Sequence, residues 1–283
     1  MALGRIILDK NFVYINGETL YDVQAVDASV SSSNSNINLA GHGVAGVVQQ
    51  GVLTANMSLN RLAINDDPFT GLFSTPFSGV WHYIDSTDTH RHFSIHSGYI
   101  SEYSFSAEVQ SIPTIDTNIV SYGNMIGGTQ VETGNITTDL NGFLDNYVAP
   151  KGINLTFAEG DLNRVQSFDL SISVNRSERP RLGQIFSIPQ NFVLYPIEAS
   201  LAITMDVDEY STPRIDGLVC RDTQDISLEL TNCEGSVIRT FTFESGVLEN
   251  IQMSAASDGT SNTASLQYRK IINDINEVQN IFS

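Results

Sequence analysis

Val23-Gln24-Ala25-Val26-Asp27-Ala28-Ser29-Val30-Ser31 lines up with Val165-Gln166-Ser167-Phe168-Asp169-Leu170-Ser171-Ile172-Ser173, 142 positions downstream. Both stretches alternate. Val26, Ala28 and Val30 face one way and Asp27, Ser29 and Ser31 the other. The second copy sets Phe168, Leu170, Ile172 and Val174 against Asp169, Ser171 and Ser173. A period of two is that of a strand with one buried and one polar face. Recurrence at a fixed offset points to a duplicated unit.

The same offset places Gly41 on Gly183, Ser58-Leu59 on Ser200-Leu201, and Asp66-Asp67 on Asp208-Glu209. Further on the offset is 148: Arg91-His92-Phe93-Ser94-Ile95-His96-Ser97-Gly98 falls on Arg239-Thr240-Phe241-Thr242-Phe243-Glu244-Ser245-Gly246. A net insertion of six residues in the second copy reconciles the two offsets. The matches keep their order and their strand parity. Formal charge divides evenly as well, at −9 for residues 1–142 and −9 for 143–283.

Other alternating runs are Leu53–Leu59, Tyr103–Val109, Ile197–Met205 and Ile251–Ala255. Turn clusters at Asp85–Asp88 and Asn232–Gly235 mark hairpins. The expected fold is therefore all-β, with two tandem related modules, each a β-sandwich or squashed barrel. They occupy residues 1–142 and 143–283, with a glycine-rich junction in 123–152. Helix is scarce. Ile271, Ile275, Val278 and Ile281/Phe282 suggest one at the C-terminal end, docked on its own sandwich or on another subunit.

Composition narrows the function. Apolar residues make up 41% of the 283 positions and charged residues 16%, against about 25% charged in an ordinary soluble domain. Uncharged polar residues fill the difference, as suits a β-rich surface packed on neighbours. The net charge is −18, with lysine only at 10, 151 and 270. Such a chain does not grip nucleic acid or acidic lipid by counterion release. Cys220 and Cys233 are read as free thiols in a reducing cytoplasm. Met1–Lys10 lacks the apolar stretch of a secretory signal, and no apolar run approaches the ~20 residues of a membrane span.

Three clusters bear on chemistry. His90, His92 and His96 share a face of an extended strand, with His82 across a hairpin, and imidazoles so placed are candidate metal ligands. Against this, Ile238, Thr240 and Glu244 replace them in the second copy. The expectation is solvent- or interface-facing histidines and no metal. Asp66-Asp67 and Asp206/Asp208/Glu209 come after strands and before prolines, which fits turns and a shared contact, with a cation site as the alternative. Arg176, Arg179 and Arg181 form the basic cluster, either a solvated loop or an anchor for acidic loops of an adjacent subunit. No nucleophile-elbow, P-loop or dinucleotide motif occurs, so the reading is non-enzymatic with no cofactor.

The two Val-Gln-x-x-Asp-x-Ser-x-Ser strands, with Ser97-Gly98-Tyr99-Ile100-Ser101-Glu102-Tyr103-Ser104-Phe105-Ser106-Ala107 and then Ile112-Pro113-Thr114, resemble the major tail (tail tube) proteins of tailed phages. The resemblance implies a sandwich or barrel flanked by a helix, six-fold rings, and rings stacked into a tube that passes DNA and tape-measure protein. Members with two modules per chain form trimeric, pseudo-six-fold rings. It further implies tail-tip and tail-terminator partners, assembly in a host cytoplasm, no membrane contact, and DNA that slides past an acidic lumen without specific binding. Asp27, Ser29, Asp169 and Ser171 then lie on faces that line either lumen or interface. The first copy departs from the pattern in lacking an evident helix. A tail-hub or tail-tip ring protein, a carbohydrate-binding or adhesin sandwich, and a metal hydrolase on the histidine face stand as alternatives.

Overall fold

The computed structural model describes residues 8–32, 34–39, 43–49, 53–63, 67–85, 90–109, 111–122, 125–128, 152–157, 160–162, 165–177, 192–206, 223–231, 236–255 and 262–282. The alternating runs are strands, and every pairing is antiparallel, so the all-β class stands. The first half contributes β1 (Leu8–Ile15), β2 (Glu18–Leu20), β3 (Val23–Ser31), β4 (Asn34–Leu39), β5 (Gly43–Gln49), β6 (Thr54–Leu62), β7 (Phe77–Asp85), β8 (His90–Glu108), β9 (Thr114–Tyr122) and β10 (Met125–Gly128). The second contributes β11 (Gly152–Phe157), β12 (Gly160–Leu162), β13 (Val165–Ser173), β14 (Arg176–Ser177), β15 (Phe192–Val193), β16 (Ile197–Asp206), β17 (Gln224–Thr231), β18 (Val237–Ala255) and β19 (Asn262–Ile272).

In the first half, β1 pairs with β2 and β7, then the order runs β7–β8–β9–β6–β3, with β4–β5 apart. In the second, β11 pairs with β12 and β17, then β17–β18–β19–β16–β13, with β14–β15 apart. The irregularities recur too. A register shift at Val23/Ala25 returns at Val165/Ser167, one at Phe77/Gly79 at Gln224/Ile226, and one at Ile100/Glu102 at Leu248/Asn250. A bulge bends its strand and re-aims the residues beyond it, so bulge positions are part of the architecture.

The register corrects one detail of the repeat. Leu59 lies opposite Val26, and Ile203 opposite Phe168, so Leu59 corresponds to Ile203 and not to Leu201. The slip is of two residues. It preserves the inward and outward faces, which is why alternation alone did not expose it.

β8 and β18 are the long elements, 19 residues each. Their first parts pair with β7 and β17, and their second parts with β9 and β19. Each therefore passes from one layer to the other around a shared core. Gly79 of β7 faces Met57 of β6 across that core, a Cβ on it standing 4.0 Å from the sulfur. The crossing points are Gly98 and Gly246, which correspond at offset 148. A Cβ on Gly98 would lie 2.8 Å from Ile119 Cγ2, and one on Gly246 2.8 Å from Phe243 Cδ1.

The halves are joined edge to edge, with Glu102–Glu108 of β8 pairing with Ser167–Ser173 of β13. Beneath this junction the rings of Phe105, Phe168 and Phe241 meet at centroid distances of 4.6–5.7 Å. The expected C-terminal helix is shorter and tighter than the spacing suggested. Tyr268 and Ile271 belong to β19, and a 3-10 helix covers Ile275–Ile281, capped by Asp274. Val278 and Ile281 are three apart, the period of a 3-10 turn, and both are buried. Phe282 then packs on Phe241, Phe73 and Tyr103, so this segment covers its own chain and touches both halves. In the 123–152 stretch, β10 is ordered against β8.

Gly98→Ala should lower unfolding stability by about 1–3 kcal/mol, the usual cost of overpacking a filled site. Gly71→Ala, with open space at its Cβ position, should change it far less. Urea denaturation of the two variants checks this.

Candidate functional site

The strand order β3–β6–β9–β8–β13–β16–β19–β18 runs without a break through both halves. Strand parity gives this eight-strand stretch one apolar and one polar face. Asp27 lies opposite Ser58, Ser58 opposite Asn118, Asn118 opposite Glu102, Glu102 opposite Ser173, and Ser173 opposite Glu198. The next row reads Asn60, Asp116, Ser104, Ser171, Ser200 and Arg269.

Side chains on this face bond across strands. Asn60 Nδ2 donates to Asp116 Oδ1 at 2.7 Å, and Asn118 Nδ2 to Glu102 Oε2 at 2.8 Å. The Ser171 and Ser200 hydroxyls share a hydrogen bond at 2.8 Å, and those of Ser254 and Thr263 one at 2.6 Å. Gln166 Nε2 donates to Asp206 at 2.6 Å. Such cross-strand pairs fix register at modest energy each. Asp27, Glu102, Glu108, Asp116, Asp169 and Glu198 are all exposed. Arg269 sits between Glu198 and Glu249, which raise its already high pKa by hydrogen bonding. The face is therefore acidic. It carries Asp27, Ser29, Asp169 and Ser171: parity puts each on the polar side of its own strand, and the β8–β13 pairing joins the two sides into one face.

Asp67 is elsewhere. It was expected in a turn near a subunit contact, yet it is buried and caps the 3-10 helix Pro68–Gly71 by accepting from the Phe69 amide at 3.1 Å. Both its carboxylate oxygens accept from Arg61 Nη2 at 3.1 Å, and Tyr103 Oη donates to it at 2.7 Å. Arg239 of the second half approaches it to 3.9 Å. Arg61 Nη1 also donates to Asp22 at 3.1 Å, and the guanidinium lies 4.4 Å from the Phe69 ring centroid. Burial raises the Asp22 pKa, with Arg61 pulling the other way. Burial opposes the charge on Arg61, but Asp67 and Asp22 hold its pKa above the ordinary value. Tyr103 is pushed well up, by burial first and by Asp67 second. Arg61 and Asp22 were missed in the sequence. The available signal was parity, because Arg61 continues the inward series Ala55, Met57, Leu59.

Arg176 is also corrected. It lies half-buried in β14 and not in a solvated loop. Its Nε donates to the Ile100 carbonyl at 2.6 Å and its Nη2 to the Phe73 carbonyl at 2.7 Å, with the Tyr99 ring at 5.0 Å. Burial lowers its pKa to about 10, so it stays charged at neutral pH. Asp66, Asp208, Glu209, Arg179 and Arg181 lie outside the described residues, as do Cys220 and Cys233.

The histidines regroup. His82 Nε2 and His90 Nδ1 are 3.1 Å apart, and His92 is the register partner of His82. His96 is exposed and past the register break between Ile95 and Gly98, so it does not join them. Among the described residues, no three His, Cys, Asp or Glu side chains are arranged to hold a metal ion. Burial lowers the His82 pKa, and His90 and His92 lower it further.

No protein-family model matches the chain, and no curated protein does. Among solved structures, the chain is similar to one in the "Cryo-EM structure of the anti-feeding prophage (AFP) baseplate, 6-fold symmetrised", at 19% identity and a TM-score of 0.32, over 42% of this chain and 88% of that one.

Arg61→Met leaves Asp22 and Asp67 buried without their cation and should cost about 3–5 kcal/mol of stability by chemical denaturation. Acidification protonates unfolded His82 near its ordinary pKa before the folded form, so its contribution is present above that value and lost below it. The midpoint of thermal unfolding should fall between pH 7.5 and 5.5, and fall less in His82→Gln.

Proposed function

We propose that this chain is a non-enzymatic virion structural protein, a ring-forming subunit of a phage tail tube, and that its two halves are copies of one module. The observation that carries the reading is the polar, acidic face that runs unbroken over four strands of each half. A sheet of this kind, continued from chain to chain, closes into a conduit. Its exposed Asp27, Glu102, Asp116 and Asp169 then face the channel. Like charge keeps a DNA backbone off the wall within a Debye length of about 8 Å at physiological salt. Ser, Thr and Asn between the acids offer hydrogen bonds without a cationic hold.

The recurring pairings support equivalence of the halves, because matched bulges at matched places are not required by two unrelated sandwiches. The resemblance to tail tube proteins supplies the rest of the reading. That comprises trimeric rings of pseudo-six-fold symmetry, stacking on a tape-measure protein, and tail-tip and tail-terminator proteins at the two ends. The chain is made in the host cytoplasm, is incorporated in the virion, and needs no cofactor.

Negative-stain microscopy of the purified protein at rising concentration tests this. Rings or tubes with six-fold-like projections are expected. Monodisperse single chains at tens of micromolar would overturn it.

A further inference from the structure

The β8–β13 junction uses one edge of each half, and its counterparts are left over. β13 corresponds to β3 at offset 142, and β8 to β18 at offset 148. Among the described strands, β3 pairs with β6 alone. The second part of β18 pairs with β19 alone.

The side chains record the same asymmetry. Tyr103, Phe105, Leu170 and Ile172, which line the internal junction, are buried. Their counterparts are not. Val30, in the place of Ile172, is 49% exposed, and Met253, in the place of Phe105, is 53% exposed. Ala28 and Ile251 are only partly covered. Neither free edge carries the lysine or proline with which monomeric proteins blunt an unpaired strand.

We propose that β18 of one copy adds antiparallel to β3 of the next, in the register of the internal junction. The internal pairs Ser173↔Glu102, Ile172↔Tyr103, Ser171↔Ser104, Leu170↔Phe105 and Asp169↔Ser106 become Ser31↔Asn250, Val30↔Ile251, Ser29↔Gln252, Ala28↔Met253 and Asp27↔Ser254. This deepens the proposed function and rests on its equation of the two halves. This register keeps the two faces in step, because both offsets preserve strand parity. Val30 and Ala28 meet Ile251 and Met253 on the apolar face, while Ser31, Ser29 and Asp27 meet Asn250, Gln252 and Ser254 on the polar one. No like charges stand opposed. A slip of one residue would set every apolar side chain on the wrong face. The contact is heterologous, head to tail, so it generates a ring or a filament and not a two-fold dimer.

The test is cysteine cross-linking in full-length chain with Cys220 and Cys233 replaced by serine. Antiparallel partners lie about 4.5–5.5 Å apart at Cα, within disulfide range. On mild oxidation, Ala28→Cys chains mixed with Met253→Cys chains should give a covalent dimer, and neither alone should. One chain carrying both substitutions should give a ladder ending at the ring. A cross-link in Ala28→Cys alone would mean edge-to-like-edge pairing and overturn the proposal. Oligomers by light scattering without the mixed cross-link would overturn the register and leave the ring reading standing. Monomers throughout would overturn both. Met253→Lys controls for folding, because this side chain is exposed in the single chain. It should keep the parental circular dichroism and weaken association by about tenfold or more; unweakened association would overturn the proposal.

Discussion

A strand carries hydrogen-bonding groups along both edges, and burying a side of it obliges the chain to say where those groups go. In β8 the demand is met twice over between Glu102 and Ser106, by β9 on one side and β13 on the other. That segment joins the two halves. Its outward side chains belong to the polar face, and its inward ones, Tyr103 and Phe105, reach the ring cluster with Phe168, Phe241 and Phe282. The polar face, the core and the union of the halves all depend on its being paired on both edges.

The buried charges reinforce the same place. Arg61, Asp22, Asp67 and Arg239 lie within the core, and Asp67 is within ion-pair reach of arginines from both halves. A buried ion pair adds little net stability against an apolar replacement, but breaking one is costly. Its effect here is positional. The Arg239 guanidinium sits 5.4 Å from the Phe105 ring centroid and 5.2 Å from that of Phe241. The arrangement ties the loop after β6 to a strand of the other half.

Much of the fold was legible. Alternation located the strands, and the duplicated run at Val23 and Val165 identified β3 and β13, whose corresponding pairings with β6 and β16 share even their bulge. The two-residue slip at Leu59 was hidden, because parity is blind to even shifts. The polar face was half legible. Asp27, Ser29, Asp169 and Ser171 were assigned to one side, but nothing local says that β8 and β13 abut, since that pairing joins segments far apart in the chain. The burial of Asp67 and Arg176 was hidden for a common reason. Charged residues near turns are usually solvated, and only tertiary placement shows a carboxylate capping a buried turn or a guanidinium bonded to two carbonyls.

All five histidines fall in the first half. The place of His82 is taken in the second by Glu229, as the pairings with Phe12 and Asn154 show. The two halves share a scaffold but not a chemistry of titration. Burial and the neighbouring imidazoles hold His82 of β7 below its ordinary pKa, while β17 carries no imidazole. Any imidazole-borne response to acid is therefore confined to one half of each chain.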